Sequence, residues 1–138
     1  MISIKELDEV VSYVRKLGAK NITLLKCTTE YPAKPKESNI LTIPYLKKRY
    51  KCDVGLSDHT PGIGVSIAAI ALGASVIEKH LTLNRKDGAI DSFFSLEPDE
   101  FKSLVNESRS AHESLGKIKI EATKSEIKYL KYRRSIYV

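Results

Sequence analysis

The segment DVGLSDHTPGIGVSIAAIALGASVIEKH, Asp53–His80, decides how this chain is read. An apolar run from Val54 leads into Ser57, Asp58, His59 and Thr60. A Pro-Gly-x-Gly turn, Pro61 to Gly64, then opens a run of small apolar residues suited to a helix lying close on a sheet. A second apolar run, SVIEKH, ends in Glu78, Lys79 and His80. Strand, helix and strand in that order make a crossover unit, which joins parallel strands. Both strands are continuous rather than alternating apolar runs, which predicts a sheet covered on both faces. The polar residues gather where each strand ends, and in parallel α/β folds that is where ligands bind.

The same alternation extends outward. Ser3 with Glu6 forms a capping box, Ile4, Leu7, Val10, Val11, Val14 and Leu17 follow at helical spacing, and Gly18 stops the helix. NITLLKC reads as a strand, and TTEYPAKPKES as a loop with two prolines. A helix from about Asn39 to Tyr50 is expected to be interrupted or bent near Pro44. Strands are placed near 22–27, 52–57 and 75–80, with a helix over GIGVSIAAIALGA between the last two. LTLNRKDGAIDSFF is a long loop. SLEPDEFKSLVNESRSAHESLG is an amphipathic helix, started by Ser95, Pro98 and first-turn acids and ended by Gly116.

Bulk properties narrow the function classes. The 138 residues suffice for one domain with a core, and 42% hydrophobic with 29% charged residues is ordinary for a globular protein. No apolar run approaches the roughly 20 residues of a membrane span, and MISIKELDEV lacks the pattern of a secretory signal. Cys27 and Cys52 show no metal or redox spacing, so buried reduced thiols in a cytoplasmic protein are expected. The net charge of +6 sits largely in KIKIEATKSEIKYLKYRRSIYV, and a basic tail is ordinarily a solvated segment, so nucleic acid is not an expected partner.

His59 and His80 each stand at a strand end, where neighbouring strands bring imidazoles together. With Asp58, Glu78 and Asp91 nearby they form a candidate site for a divalent metal such as Mn²⁺; structural hydrogen bonding by each histidine is the competing reading. His112, within the last helix, reads as a surface residue. The turn at Pro61 to Gly64 offers either anion-binding backbone N–H groups or a plain tight turn. Thr28, Thr29 and Tyr31 either bind a polyol or phosphate, or cap and pack a loop. Three parallel strands close no barrel, which takes eight strands and about 250 residues. They leave two exposed edges, which predict dimers or aggregates.

In series, LLKCTTEYPA, VGLSDHTPGI, GASVIEKHLTLNR and FSLEPDEF resemble the sialic acid synthase family, over almost the whole chain. Ser92 after Asp91, and the closing RRSIYV, are similar to its pseudaminic acid synthase branch. The resemblance implies an α/β fold that is part of a (β/α)8 TIM barrel, its last three units. It implies condensation of phosphoenolpyruvate with an acetamido-hexose aldehyde, releasing phosphate. His59 and His80 match metal ligands, for Mn²⁺ with Mg²⁺ or Co²⁺ as alternatives, and with Asp91 match catalytic positions. Ser57 and Thr29 match phosphate-binding positions; Tyr31 and Asp91 match sugar contacts.

The resemblance also places Met1 near the end of a fifth barrel strand. Residues 1–116 then correspond to the C-terminal half of the barrel, and 117–138 to a basic linker toward an antifreeze-like domain. The family's N-terminal glutamates and lysines would come from elsewhere, such as a separately encoded half, and the chain alone is expected to be inactive. A noncatalytic remnant or a self-associating interaction module, as a homodimer, is the alternative.

Overall fold

The structure is a computed structural model and describes residues 1–134. Its main elements are α1 (Ile4–Lys16), β1 (Thr23–Cys27), α2 (Thr42–Tyr50), β2 (Asp53–Asp58), α3 (Gly64–Ala71), β3 (Ile77–Lys79) and α4 (Pro98–Leu115). The three strands form one parallel sheet in the order β1-β2-β3. The alternation of strand and helix read from the sequence is present throughout.

Local chemistry sets the boundaries. The Ser3–Glu6 capping box forms: the Glu6 carboxylate accepts the Ser3 backbone N–H at 2.7 Å, and Ser3 Oγ accepts the Glu6 N–H at 3.3 Å. α2 begins at Thr42, after a turn with Asn39 at φ 44°, so Pro44 lies in the first helical turn. A proline there removes an N–H that has no intrahelical partner anyway, so in place of an interruption or bend near Pro44 the helix starts there. α4 is capped by Glu97 with Glu100; Ser95 instead donates its hydroxyl to the Asp91 carbonyl at 2.7 Å.

Packing divides the sheet into two unlike faces. Val54 and Leu56 of β2 point to the helix side, where they join Val11, Ile43, Leu46, Tyr50, Ala69, Ile70 and Ala74 in the core. Asp8 ties α1 to α2, receiving Arg49 at 3.0 and 2.6 Å and the Tyr50 hydroxyl at 2.8 Å. The opposite face carries Leu25, Cys27, Gly55, Ser57, Val76 and Glu78 by strand alternation and register. No helix covers it among the described residues: Leu25 is 38% and Val76 42% exposed. The expectation of two covered faces is thus corrected to one. Apolar composition marks a buried strand but not what buries it. The same face exposes Cys27, contrary to the buried thiol expected, while Cys52 is half-buried against the core. Residues 117–134 are almost wholly exposed, with one short 3-10 helix, Ile127–Tyr132.

Gly55 marks the closest approach within the sheet. A Cβ there would lie 2.3 Å from the Val76 carbonyl oxygen and 2.7 Å from Leu25 Cδ2. Gly55→Ala should therefore destabilise the chain by about 3 kcal/mol, the upper end of overpacking costs. A urea unfolding midpoint unchanged from the parent would contradict this account of the β1-β2-β3 packing.

Candidate functional site

The site lies at the carboxyl ends of the strands, on the helix-free face. Ser57 pairs with Glu78 across β2 and β3, and Asp58 with Lys79. Side chains of successive residues point to opposite faces, so Ser57 and Glu78 share the bare face with the two residues just beyond, His59 and His80. The imidazole centroids stand 5.2 Å apart.

His59 is only 6% exposed. Its Nδ1 lies 2.9 Å from the Thr28 carbonyl oxygen. A carbonyl only accepts, so Nδ1 carries the proton and the Nε2 lone pair is left for another partner. Cys27 Sγ is 3.9 Å from the same nitrogen. Tyr31 lies against the ring at 4.3 Å between centroids. His80 is packed against Phe94 at 5.0 Å, and its Nδ1 lies 4.0 Å from Asp91 Oδ2, at the limit of an ion pair and beyond a hydrogen bond. Asp91 takes a positive φ of 66°, in the left-handed region. Ser57 Oγ donates to Glu78 Oε1 at 2.6 Å.

On the helix side a buried ion pair joins the two strand tips. Lys79 Nζ lies 3.0 Å from Asp58 Oδ2, and the two side chains are 2% and 1% exposed. Asp58 also accepts the Thr60 N–H and hydroxyl, both at 2.8 Å, and the Ser66 hydroxyl at 2.6 Å. Burial pushes the Asp58 carboxyl up, but the bonds from Ser66, Thr60 and Lys79 outweigh it and hold the group below its ordinary value.

The loop from Leu81 to Glu97 is fixed back onto the site. Leu96 N–H donates to the His80 carbonyl and Thr82 N–H to the Leu96 carbonyl, each at 2.9 Å. Arg85 donates to the Ser95 carbonyl at 3.0 Å and pairs with Glu100. These bonds carry Phe94 and Asp91 to His80.

Of the residues singled out in the sequence, His59, His80, Tyr31 and Asp91 come together, with Ser57 and its partner Glu78 on the same face. Thr29 is exposed and borders an apolar cavity of about 510 Å³ along the free edge of β1. Asp58 is corrected: it faces the helices and is consumed by Lys79, so it does not join the histidines. Its bonds to Thr60 fix the start of the loop after β2. His112 is exposed on α4, as expected. Among the described residues no group of three His, Cys, Asp or Glu side chains is arranged to hold a metal ion. Lys79, Phe94 and Arg85 were not identified from sequence. Lys79 carried a signal, since a charged residue inside an apolar strand needs a buried partner, and Asp58 was in reach.

Parallel strands presenting paired imidazoles, a hydroxyl and carboxylates at their carboxyl ends define an α/β fold with a candidate ligand site. Comparison with known proteins makes this more specific. The profile of the NeuB family matches residues 1–120, and the chain belongs to that family. It is 46% identical to the N,N'-diacetyllegionaminic acid synthase of Campylobacter jejuni, over 100% of this chain and 42% of that protein. It is 37% identical to the pseudaminic acid synthase of the same organism, over 96% and 39%. The crystal structure of the Leptospira borgpetersenii N-acetylneuraminic acid synthetase in complex with citrate superposes with a TM-score of 0.85 and 36% identity, over 96% of this chain and 46% of that one. The chain thus spans less than half the length of these relatives. Identity is higher to the legionaminic than to the pseudaminic acid synthase. The closing stretch read for the pseudaminic branch ends in residues 135–138, outside the described residues.

Because the folded pKa of Asp58 is depressed, its contribution to stability is fully present above the unfolded carboxyl value of about 3.9 and is lost as pH falls through the folded value. Unfolding free energy should therefore drop more steeply below about pH 4 in the parent than in Asp58→Asn. Denaturant titrations at stepped pH check this, and parallel slopes would contradict it.

Proposed function

We propose that this chain supplies the last three β/α units of a TIM barrel in a nonulosonic acid synthase. The reaction is condensation of phosphoenolpyruvate with an acetamido-hexose aldehyde, with release of phosphate. The observation that carries this reading is the facing of His59 and His80 on one sheet face at the strand ends, within a chain of the NeuB family.

The donor set fits a metal in part. The Thr28 carbonyl fixes the His59 proton on Nδ1 and turns Nε2 into a donor. His80 provides the second imidazole. Two nitrogens suit Mn²⁺, with Mg²⁺ or Co²⁺ less suited to imidazole than to oxygen or mixed sets, and further ligands come from outside this pair. Such an ion would supply Lewis acidity toward the sugar aldehyde. Ser57 would donate its hydroxyl to phosphate, giving up the bond to Glu78. Thr29, at the rim, would serve the same phosphate. Tyr31 and Asp91 would contact the sugar. Higher identity to the legionaminic acid synthase supports a diacetamido sugar substrate.

The chain on its own would be catalytically silent, because catalysis by charge requires all the charges in place together. The bare sheet face and the cavity along β1 are where the remainder of a synthase would pack. Two unpaired thiols suit a reducing, cytoplasmic setting. The exposed Leu25 and Val76 favour a second reading, self-association through this face.

Phosphate release from phosphoenolpyruvate, with Mn²⁺ and acetamido sugars, tests the first reading. The chain alone should release none. Adding the N-terminal portion of the Campylobacter legionaminic acid synthase should give sugar-dependent release, abolished by His59→Ala. A parent chain that shows no Mn²⁺ binding in electron paramagnetic resonance would overturn the metal assignment. Light scattering tests the second reading: a monodisperse monomer at high concentration would exclude it.

A further inference from the structure

We infer that Asp58 and Lys79 are positioning residues, whose buried ion pair sets the spacing and facing of His59 and His80 from the opposite side of the sheet. The inference rests on the reading of that histidine pair as a metal site, and deepens it.

Asp58 directly precedes His59, and Lys79 directly precedes His80. The two are register partners on β2 and β3. Strand alternation puts the charges on the helix side and the imidazoles on the bare side, so the pair touches neither ring. It acts through the backbone. Asp58 grips both the N–H and the hydroxyl of Thr60, at 2.8 Å each. Lys79 Nζ donates to the Thr60 carbonyl at 2.6 Å. His59 is thereby clamped on both flanks, at 58 and at 60, by one network that also holds the residue before His80. Ser66 Oγ adds α3 to it at 2.6 Å.

Stability alone does not account for two charges held at 1% and 2% exposure. Desolvation consumes much of the Coulomb gain, and uncharged replacements of a buried ion pair are frequently neutral or stabilising. Directional charged bonds do what apolar packing cannot: they fix which register partners meet and how the chain leaves each strand. The β2-β3 ladder is short, with three paired positions, and Asp58–Lys79 is its last rung before the two histidines. A slip by one residue would turn one imidazole to the wrong face.

The test uses the full chain and two readouts. Lys79→Met alone strands a buried carboxylate, so the informative protein is the double variant Asp58→Asn, Lys79→Met, which removes both charges. It should still unfold cooperatively, lose the nuclear Overhauser contact between the His59 and His80 rings, and bind Mn²⁺ about ten-fold or more weakly, the cost typical of lost support behind metal ligands. Retention of the ring contact and the affinity would overturn the proposal. So would a double variant that fails to fold, because the pair would then be a requirement of the core. Should the parent show the ring contact but no Mn²⁺ affinity, the metal reading fails by itself, and the ring contact alone decides the positioning role.

Discussion

Two opposite charges are carried into the interior where β2 and β3 end, and the arrangement of the strand tips depends on their meeting. Neither Asp58 nor Lys79 has an acceptable place without the other, since an uncompensated buried charge costs about 3–5 kcal/mol. Their pairing selects a single register for the short β2-β3 ladder. The polar residues on the other face then inherit their positions. Ser57 meets Glu78, and His59 meets His80, because each lies one residue away from the ion pair. α3 is drawn into the same arrangement through Ser66, which brings the Pro61–Gly64 turn to the end of β2. α4 packs against α3, and the Leu96–His80 bond returns the long loop to the same place.

The two faces of the sheet follow different physical rules. On the helix side the apolar residues find partners from α1, α2 and α3, and the polar ones find each other. On the bare side the apolar residues Leu25 and Val76 have nothing over them, although Gly55 is kept small so that they can close around it. A face of that composition is built to be covered. The relatives it matches are more than twice as long.

Most of the architecture was legible in the sequence because its signals are local. The Ser3–Glu6 box, the Gly18 and Gly116 stops, and the small-residue run of α3 each specify an element with little help from elsewhere. The histidine pair was legible because strand ends in a parallel sheet converge. What failed to show depended on nonlocal partners. The orientation of Asp58 turns on a residue 21 positions later. Pro44 could bend a helix or begin one, and the turn at Asn39 decided it. Cys27 lies in an apolar run, yet its exposure depends on what stands against the strand's other side. Phe94 and Arg85 act from a loop whose course is set by tertiary bonds rather than by periodicity.

The charge on the bare face also divides the proposed chemistry. Its strand positions and the β2 and β3 tips beyond them hold Thr23, Leu25, Cys27, Asp53, Gly55, Ser57, His59, Val76, Glu78 and His80, with no lysine or arginine among them. Such a surface favours a cation over an anion, which accords with the metal site proposed for the two imidazoles. A phosphate ester held by Ser57 would meet the Glu78 carboxylate beside that hydroxyl and needs cations from elsewhere to offset it. A phosphorylated substrate and a metal make opposite electrostatic demands, and this face meets only the second. On the proposed reading, therefore, the cations for phosphate must approach from across the uncovered side. On that reading the proposed metal ligands and the proposed phosphate contact draw on charges from different parts of the assembled site.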